Sequence, residues 1–240
     1  MSDFKLVVFD LEGTLFKKSY TLLGGQCFQS AWGALCASLG PAAEQEDLAN
    51  GRRFYAGEYP GYSSWVADTI RLHQRYQLHR DWFDKVINSV EYHHGVTETL
   101  AALHEAGMTT AVVSGGLKAL ADRVVLDHGV SHCFAAAEYF WGPDGLIQRW
   151  NILPTDFAHK RSAVEMLLKD LGISREQCAF IGDGRNDVDV ACYVGRAIAF
   201  NPHQELRNCC EIIIEQEPGQ EDLQAVLPYL LGALEQGVCA

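Results

Sequence analysis

Positive charge is scarce in this chain: 19 Lys and Arg stand against 31 Asp and Glu, a formal net charge of −12. No basic run or Lys/Arg stripe interrupts the acidity, which argues against a nucleic-acid footprint. Any anionic ligand must then be attracted locally, against the overall field. Long apolar runs are missing too. No stretch approaches the roughly 18 uncharged apolar residues of a membrane span. At the N-terminus Asp3, Lys5 and Asp10 interrupt the apolar core that a signal peptide needs. The eight cysteines form no Cys-x-x-Cys pair and no Cys/His zinc spacing. The adjacent Cys209 and Cys210 read as two unrelated thiols, and the whole set as reduced, cytoplasmic cysteine. The nine histidines are scattered, with His93-His94 the one adjacent pair. Internal repeats and low-complexity tracts are absent.

What is present is an ordinary globular composition, 48% hydrophobic and 21% charged over 240 residues. That suits one large domain or a domain with an insert. Leu6 to Phe9 is a short apolar run rich in β-branched and aromatic residues, which reads as a buried parallel strand. It ends in Asp10, with Glu12 two residues on and Gly13-Thr14 as the turn. Two carboxylates where a buried strand runs out are costly to desolvate unless a metal or a developing charge lies between them. A capped strand end with a solvated acid is the plainer alternative for this stretch alone.

Residues 20–39 have helical spacing, Gly40-Pro41 breaks the chain, and Glu44 to Tyr55 reads as a second helix. Gly57 to Gly61 is a turn, after which Ser63 or Ser64 is expected to cap a third helix carrying Trp65 and Ile70. Asp81 starts a fourth. The spacing thus predicts an all-helical insert, residues 17–94, between residues 1–16 and 95–240 of an α/β core. Its crossings at Phe16–Ser19 and Tyr92–Gly95 are the expected hinges of a lid. The turn from Tyr59 to Tyr62 is expected over the leaving group.

From Gly95 helix and strand alternate. Thr97 is expected to cap a helix to Ala106. Strands are expected over Thr109–Val113, Cys133–Ala137, Cys178–Ile181, Ala197–Phe200 and Glu211–Ile214, and a closing helix over Leu223–Leu234. Gly142-Pro143-Asp144-Gly145 marks a hairpin. Such alternation implies parallel pairing, with the ligand beyond the carboxyl ends of the strands. At those ends stand Asp10 and Glu12, then Ser114-Gly115-Gly116, then Asp183 and Asp187, with Lys160 at a helix start. Each alone has a structural reading; together they compose a phosphoryl-transfer site. Ser114 and the backbone N–H groups after it can hold phosphate oxygens. Acids from two strand ends can hold Mg²⁺, and a free carboxylate can attack phosphorus.

The segments Asp10-Leu11-Glu12-Gly13-Thr14, Ser114-Gly115-Gly116, Lys160 and Gly182-Asp183-Gly184-Arg185-Asn186-Asp187 together resemble the haloacid dehalogenase superfamily. Within it the chain is similar to the phosphoserine-phosphatase-like members with a helical cap after the first motif. The resemblance implies a Rossmann-like parallel sheet with an inserted all-helical cap. Asp10 would be nucleophile and Mg²⁺ ligand. Glu12 would be the general acid/base, its backbone carbonyl a second metal contact. Ser114, Gly115 and Lys160 would bind the phosphoryl group. Asp183 would ligate Mg²⁺, and Asp187 would ligate it or support it.

Two positions depart from that pattern. The family usually has aspartate where this chain has Glu12. Phosphoserine phosphatases also grip substrate with a glutamate after the first motif and an arginine in the cap. Here those places hold Ser19 and the apolar stretch Trp65 to Ala67, with Arg71 as the nearest substitute, which disfavours phosphoserine as substrate. The expectation is a Mg²⁺-dependent phosphatase acting on a small phosphorylated metabolite, without nucleic-acid or membrane partners. Its alternatives are phosphotransfer through the same intermediate and a catalytically silent phosphate-binding protein. Oligomeric state stays open.

Overall fold

A computed structural model describes residues 3–22 and 25–232. Strand β1 (Leu6–Phe9) is buried at all four positions. A two-residue ribbon follows, β2 (Tyr20–Thr21) with β3 (Cys27–Phe28). Four helices come next: α1 (Ala31–Ser38), α2 (Pro41–Tyr55), α3 (Tyr62–Arg75) and α4 (Arg80–Ser89). The chain continues through α5 (Val96–Glu105), β4 (Thr109–Leu117), α6 (Lys118–His128), β5 (His132–Trp141), β6 (Ile147–Ile152) and α7 (Ala158–Leu171). Beyond these lie β7 (Cys178–Gly182), α8 (Val188–Ala191), β8 (Arg196–Phe200), α9 (Gln204–Arg207), β9 (Ile212–Ile214) and α10 (Leu227–Leu231). No described helix is long and apolar enough to cross a membrane.

The seven-stranded sheet has the order β6-β5-β4-β1-β7-β8-β9. Only the β5–β6 pair is antiparallel, closing the hairpin read at Gly142–Gly145. β1 sits centrally, with Leu6 opposite Thr109 of β4 and Cys178 of β7. The chain builds outward from β1 in one direction, then in the other. The carboxyl end of β1 is therefore a switch point, where such sheets open a crevice. Side chains alternate across the sheet. Val7 and Phe9 join one hydrophobic cluster with Leu100 and Leu120, while Leu6 and Val8 join another with Val164 and Leu167. Helices cover both faces, which is why the inner strands read as continuous apolar runs.

Several element boundaries differ from their sequence expectations. The helix expected over 20–39 is confined to Ala31–Ser38. Tyr20 pairs antiparallel with Phe28, and the chain reverses between them, Leu22 N–H donating to the Gln26 carbonyl at 2.9 Å. Ser30 then caps α1, accepting from Gly33 N–H at 3.2 Å. The insert is thus helical apart from this ribbon. α3 begins at Tyr62, after an extended Gly61, so neither Ser63 nor Ser64 caps it. α5 begins after Gly95, not Thr97. Gly95 has φ of 76°, and a side chain there would collide with Asp222. β4 runs on through Ser114, Gly115 and Gly116 with a register shift, so this segment is strand edge and not loop. The closing helix divides into a 3₁₀ turn, Leu223–Val226, and α10. Pro228 lacks an N–H and fits only in a first helical turn. Residues 233–240, including the end expected for this helix and Cys239, lie outside the described residues.

Two of the insert's ties to the sheet domain lie at the crossings and at the β5–β6 hairpin. Where the chain crosses, Lys17 N–H donates to the Glu91 carbonyl and His93 N–H to the Leu15 carbonyl, each at 2.9 Å. The Phe16 and Tyr92 rings stack at 4.3 Å. Far from these crossings, Arg80 N–H donates to the Gly145 carbonyl at 2.8 Å. His73 Nδ1 lies 2.8 Å from the Tyr139 hydroxyl, and Phe83 packs on Tyr139 and Trp141. The β5–β6 hairpin therefore holds the α3–α4 end of the insert. Opening the whole insert about the two crossings would break these contacts.

Gly145 is the narrow point of that second attachment. Its φ is +76°, and a Cβ would run into the His79 imidazole. Gly145→Ala should destabilise the protein by at least about 1–2 kcal/mol from the left-handed backbone alone. Loss of the His79 contact should also raise the rate of limited proteolysis within the insert. An unchanged denaturation midpoint and proteolysis rate would show that the hairpin does not hold it.

Candidate functional site

The site is assembled at the carboxyl edge around β1. Asp10 directly follows the strand, and its N–H donates to the Ile181 carbonyl of β7 at 2.9 Å. Asp183 follows β7, and Asp187 ends the 3₁₀ turn Arg185–Asp187. All three acids are buried, and one oxygen from each lies within 4.8 Å of the others. Lys160, on the first turn of α7, has no exposed surface. Its Nζ donates to Asp10 Oδ1 at 2.8 Å and to Asp187 Oδ1 at 2.6 Å. The second oxygen of Asp187 accepts from Asp183 N–H at 3.1 Å and Gly184 N–H at 2.8 Å. Asp187 thus folds the Gly182–Asp187 turn as well as meeting the lysine. The adjoining Gly182 has no room for a Cβ, because it would strike that carboxylate.

Ser114 is buried beside this cluster, its Oγ accepting from Gly116 N–H at 3.0 Å. Its carbonyl accepts from Thr155 Oγ1 at 2.7 Å. Gly115 packs against Asp156, and its carbonyl accepts from the Tyr62 hydroxyl of the insert. Glu12 does not join the three-aspartate cluster with its side chain. Its carboxylate reaches the insert instead, accepting from Ala31 N–H at the start of α1 at 2.8 Å. The other oxygen faces Gly116. Every position expected from the sequence is thus present at one edge, with Glu12 on the insert side and the aspartates on the sheet side.

Four participants were not assigned a place there from the sequence, Lys18, Asp156, Asn186 and Phe157, whereas Tyr62 belongs to the turn expected over the site. Lys18 pairs with Asp183, but from sequence it reads as a solvated lysine in a crossing segment. Asp156 accepts from Asn186 Nδ2 at 2.5 Å. The Pro-Thr-Asp run before α7 was its only local signal, and it reads equally well as a turn. Phe157 has φ of 50° and ψ of −132°, an uncommon backbone for an aromatic residue. Its ring packs on Tyr62 and Phe54 of the insert. These residues border a cleft of about 440 Å³ between sheet edge and insert, walled by Trp32, Tyr55 and Trp65 and floored by the acids.

Burial governs the electrostatics. It raises Glu12 above the usual carboxylate range, against the lowering influence of the neighbouring Tyr20 and Ala31 groups. It raises Asp183 and Asp187 likewise; Lys18 acts against it at Asp183 and Lys160 at Asp187, while Asp10 adds to it at both. Burial alone would lower Lys160, but Asp10 and Asp187 outweigh it and hold the ammonium charged. Three clustered carboxylates facing two lysines leave an excess of negative charge. An all-oxygen donor set of this kind fits a hard divalent cation such as Mg²⁺.

A doubly wound sheet with acids, a lysine and a serine at its switch point defines an α/β enzyme acting on an anionic, phosphate-like centre. Comparison with known proteins gives the family. Residues 4–195 match the haloacid dehalogenase-like hydrolase model, and the chain belongs to that family. It is 25% identical over 224 residues to a phosphoserine phosphatase of Albidiferax ferrireducens, covering 90% of this chain and 86% of the relative. It is 24% identical to a phosphoglycolate phosphatase of Vibrio cholerae, covering 87% and 91%. A solved substrate-bound phosphoserine phosphatase superimposes with a TM-score of 0.74 at 22% identity, covering 95% of this chain and 98% of that one. The protein is a phosphatase of phosphomonoesters with a phosphoserine-phosphatase-like fold.

Asp183 and Asp187 bind protons more tightly folded than unfolded. Between their ordinary pKa of 3.8 and neutrality, the folded state therefore holds more protons than the unfolded state. Stability from this pair is fully present at low pH and falls as pH rises through that window. Metal-free Asp183→Asn should show a shallower fall than the native protein between pH 4 and 7. Identical pH–stability slopes in the two proteins would place the excess protons elsewhere.

Proposed function

We propose that this protein is a Mg²⁺-dependent phosphomonoesterase that works through an aspartyl-phosphate on Asp10. The observation that carries this reading is the buried Asp10–Lys160–Asp187 chain, with Asp183 alongside and Glu12 across the cleft. Asp10, Asp183 and the Glu12 carbonyl would hold Mg²⁺, with Asp187 in support. Bound there, the ion supplies charge neutralisation for a phosphate dianion. Lys160 provides fixed positive charge beside the nucleophile. Ser114 and the N–H groups after it hold the phosphoryl oxygens, positioning being most of what phosphoryl transfer needs.

In the first step an Asp10 oxygen attacks phosphorus and the ester P–O bond breaks. Glu12 gives its proton to the departing alkoxide. Burial, which keeps Glu12 protonated more readily than a free glutamate, suits that role. In the second step Glu12 takes a proton from water as the water attacks phosphorus. The P–O bond to Asp10 then breaks and releases inorganic phosphate. Residues 17–94 act as a cap domain over the core of residues 1–16 and 95–240. The substrate is a small phosphorylated metabolite. Seven free cysteines among the described residues suit a cytoplasmic setting.

Asp10→Asn should abolish turnover while keeping the thermal transition within a few degrees of native. Near-normal phosphate release by this variant with Mg²⁺ would sink the covalent mechanism. Glu12→Gln should lower turnover of alkyl phosphates by roughly 10²–10⁴. The loss should be smaller for aryl phosphates, which depart without a proton. A rapid-quench burst with an aryl phosphate checks this, since the phosphoenzyme then forms faster than it hydrolyses. A native steady-state rate without a burst would make Glu12 a bystander.

A further inference from the structure

The insert half of the cleft has a composition of its own. From residue 29 onward it contributes the aromatic rings of Trp32, Tyr55, Tyr62 and Trp65, and one charged side chain, Asp47. Three of these rings form a connected wall, and Trp32 lines the cleft beside them. Tyr62 meets Trp65 edge-on at 5.6 Å, Tyr55 lies 6.4 Å from Trp65, and Phe54 stacks behind Trp65 at 4.5 Å. Asp47, on α2, has no ion-pair partner among the described residues, and the Cys36 thiol lies beside it.

The insert's arginines are elsewhere, and its one lysine at the cleft, Lys18, pairs with Asp183. Arg53 is held by Glu58 at 3.0 Å, and its guanidinium sits over the Tyr59 ring. Arg71 is held by Asp68 at 2.7 Å and borders a separate surface groove. Arg75 pairs with Glu46. No arginine of the insert lines the cleft among the described residues. Tyr59 also faces away, its hydroxyl bonded to Asp68 at 3.0 Å, so only the Tyr62 end of its turn reaches the site. The two cationic residues lining the cleft, Lys18 and Arg185, belong to the phosphate end or pair with Glu205.

An anionic leaving group such as the carboxylate of phosphoserine would meet a carboxylate there and no cation. A positively charged leaving group would meet ring faces and an acid, the arrangement that recognises ammonium ions. We propose that the substrate is a phosphomonoester of a small amino or trimethylammonium alcohol, its cationic head lodged between Asp47 and the Trp32–Tyr55–Trp65 wall. The proposal rests on the phosphomonoesterase reading: water and the ester give the free ammonium alcohol and inorganic phosphate. It defines the leaving group, which the acids and lysine at the sheet edge do not.

The test compares choline phosphate and ethanolamine phosphate with 3,3-dimethylbutyl phosphate, the uncharged isostere of choline phosphate, and with phosphoserine. p-Nitrophenyl phosphate with Mg²⁺ serves as reference. kcat/KM for the better ammonium ester should exceed that for the neutral isostere by roughly 3- to 30-fold, and phosphoserine should fall below it. Asp47→Asn should shrink that ratio, and Trp65→Leu should shrink it further. In parallel, choline should quench tryptophan fluorescence at lower concentration than 3,3-dimethylbutanol. Equal kcat/KM for isostere and ammonium esters, or phosphoserine as the best substrate, would overturn the proposal. If p-nitrophenyl phosphate itself is not turned over, the phosphatase reading fails. The fluorescence comparison then still decides the cation preference, and equal quenching by choline and dimethylbutanol would overturn it.

Discussion

The rest of the site depends on one buried ammonium. Lys160 Nζ lies between Asp10 and Asp187 with no exposed surface. Isolated, such a charge would be prohibitive to bury. Here two carboxylates of different strand ends compensate it, so the lysine fixes their separation. It also ties α7 to the carboxyl ends of β1 and β7 and thereby sets where Asp10 stands. The same pairing leaves the cluster short of positive charge, since Asp183 has only Lys18 beside it. A site arranged this way is poised for a metal and a phosphate together, and it is costly to keep without them.

Glu12 ties that centre to the insert. An aspartate at this position would be one methylene shorter. The glutamate here reaches the first N–H of α1, a favourable place for a carboxylate because helix N-termini carry unsatisfied donors and partial positive charge. Its second oxygen still faces Gly116. The carboxylate expected to move protons is therefore also the one that joins the insert to the catalytic edge. Tyr62 makes a parallel tie, donating to the Gly115 carbonyl. Movement of α1 or of the start of α3 would be felt at Glu12 and at the Ser114–Gly116 segment.

The β5–β6 hairpin limits what such movement can be. Because Gly145, Tyr139 and Trp141 hold α3 and α4, the far end of the insert is fixed to the sheet. Helix α2 and the Tyr55–Gly61 connection, which carry Asp47 and Tyr55, lack those hairpin contacts. Motion that admits a substrate is thus easier at the aromatic wall than about the two crossings.

How much of this was legible in the chain follows from the range of each interaction. The parallel core was legible because a buried strand writes its period and its end in four to six neighbouring residues, as Leu6–Phe9 and Cys178–Gly182 do. The acids were legible because a charge directly after an apolar run has no cheap structural reason to be there. Boundaries were misread where a distant partner decided them. Tyr20 is buried by the fold, Tyr20–Thr21 pairs with Cys27–Phe28 as a ribbon, and Tyr62, at the start of α3, has its hydroxyl partner on β4. Lys18 carried no local mark, and Asp156 and Asn186 none that paired them; their contacts exist only because Gly13, Gly115 and the β7 turn bring separate stretches to one edge. The direction in which Arg53 points was equally hidden, since it takes Glu58 and the Tyr59 ring beyond the end of α2 as neighbours. By itself, then, the sequence determined which acids and serine stand at the strand ends and which lysine at a helix start, because those groups are written in short local segments. Tertiary structure alone decided what faces them across the cleft, because that wall is built from side chains of three different helices.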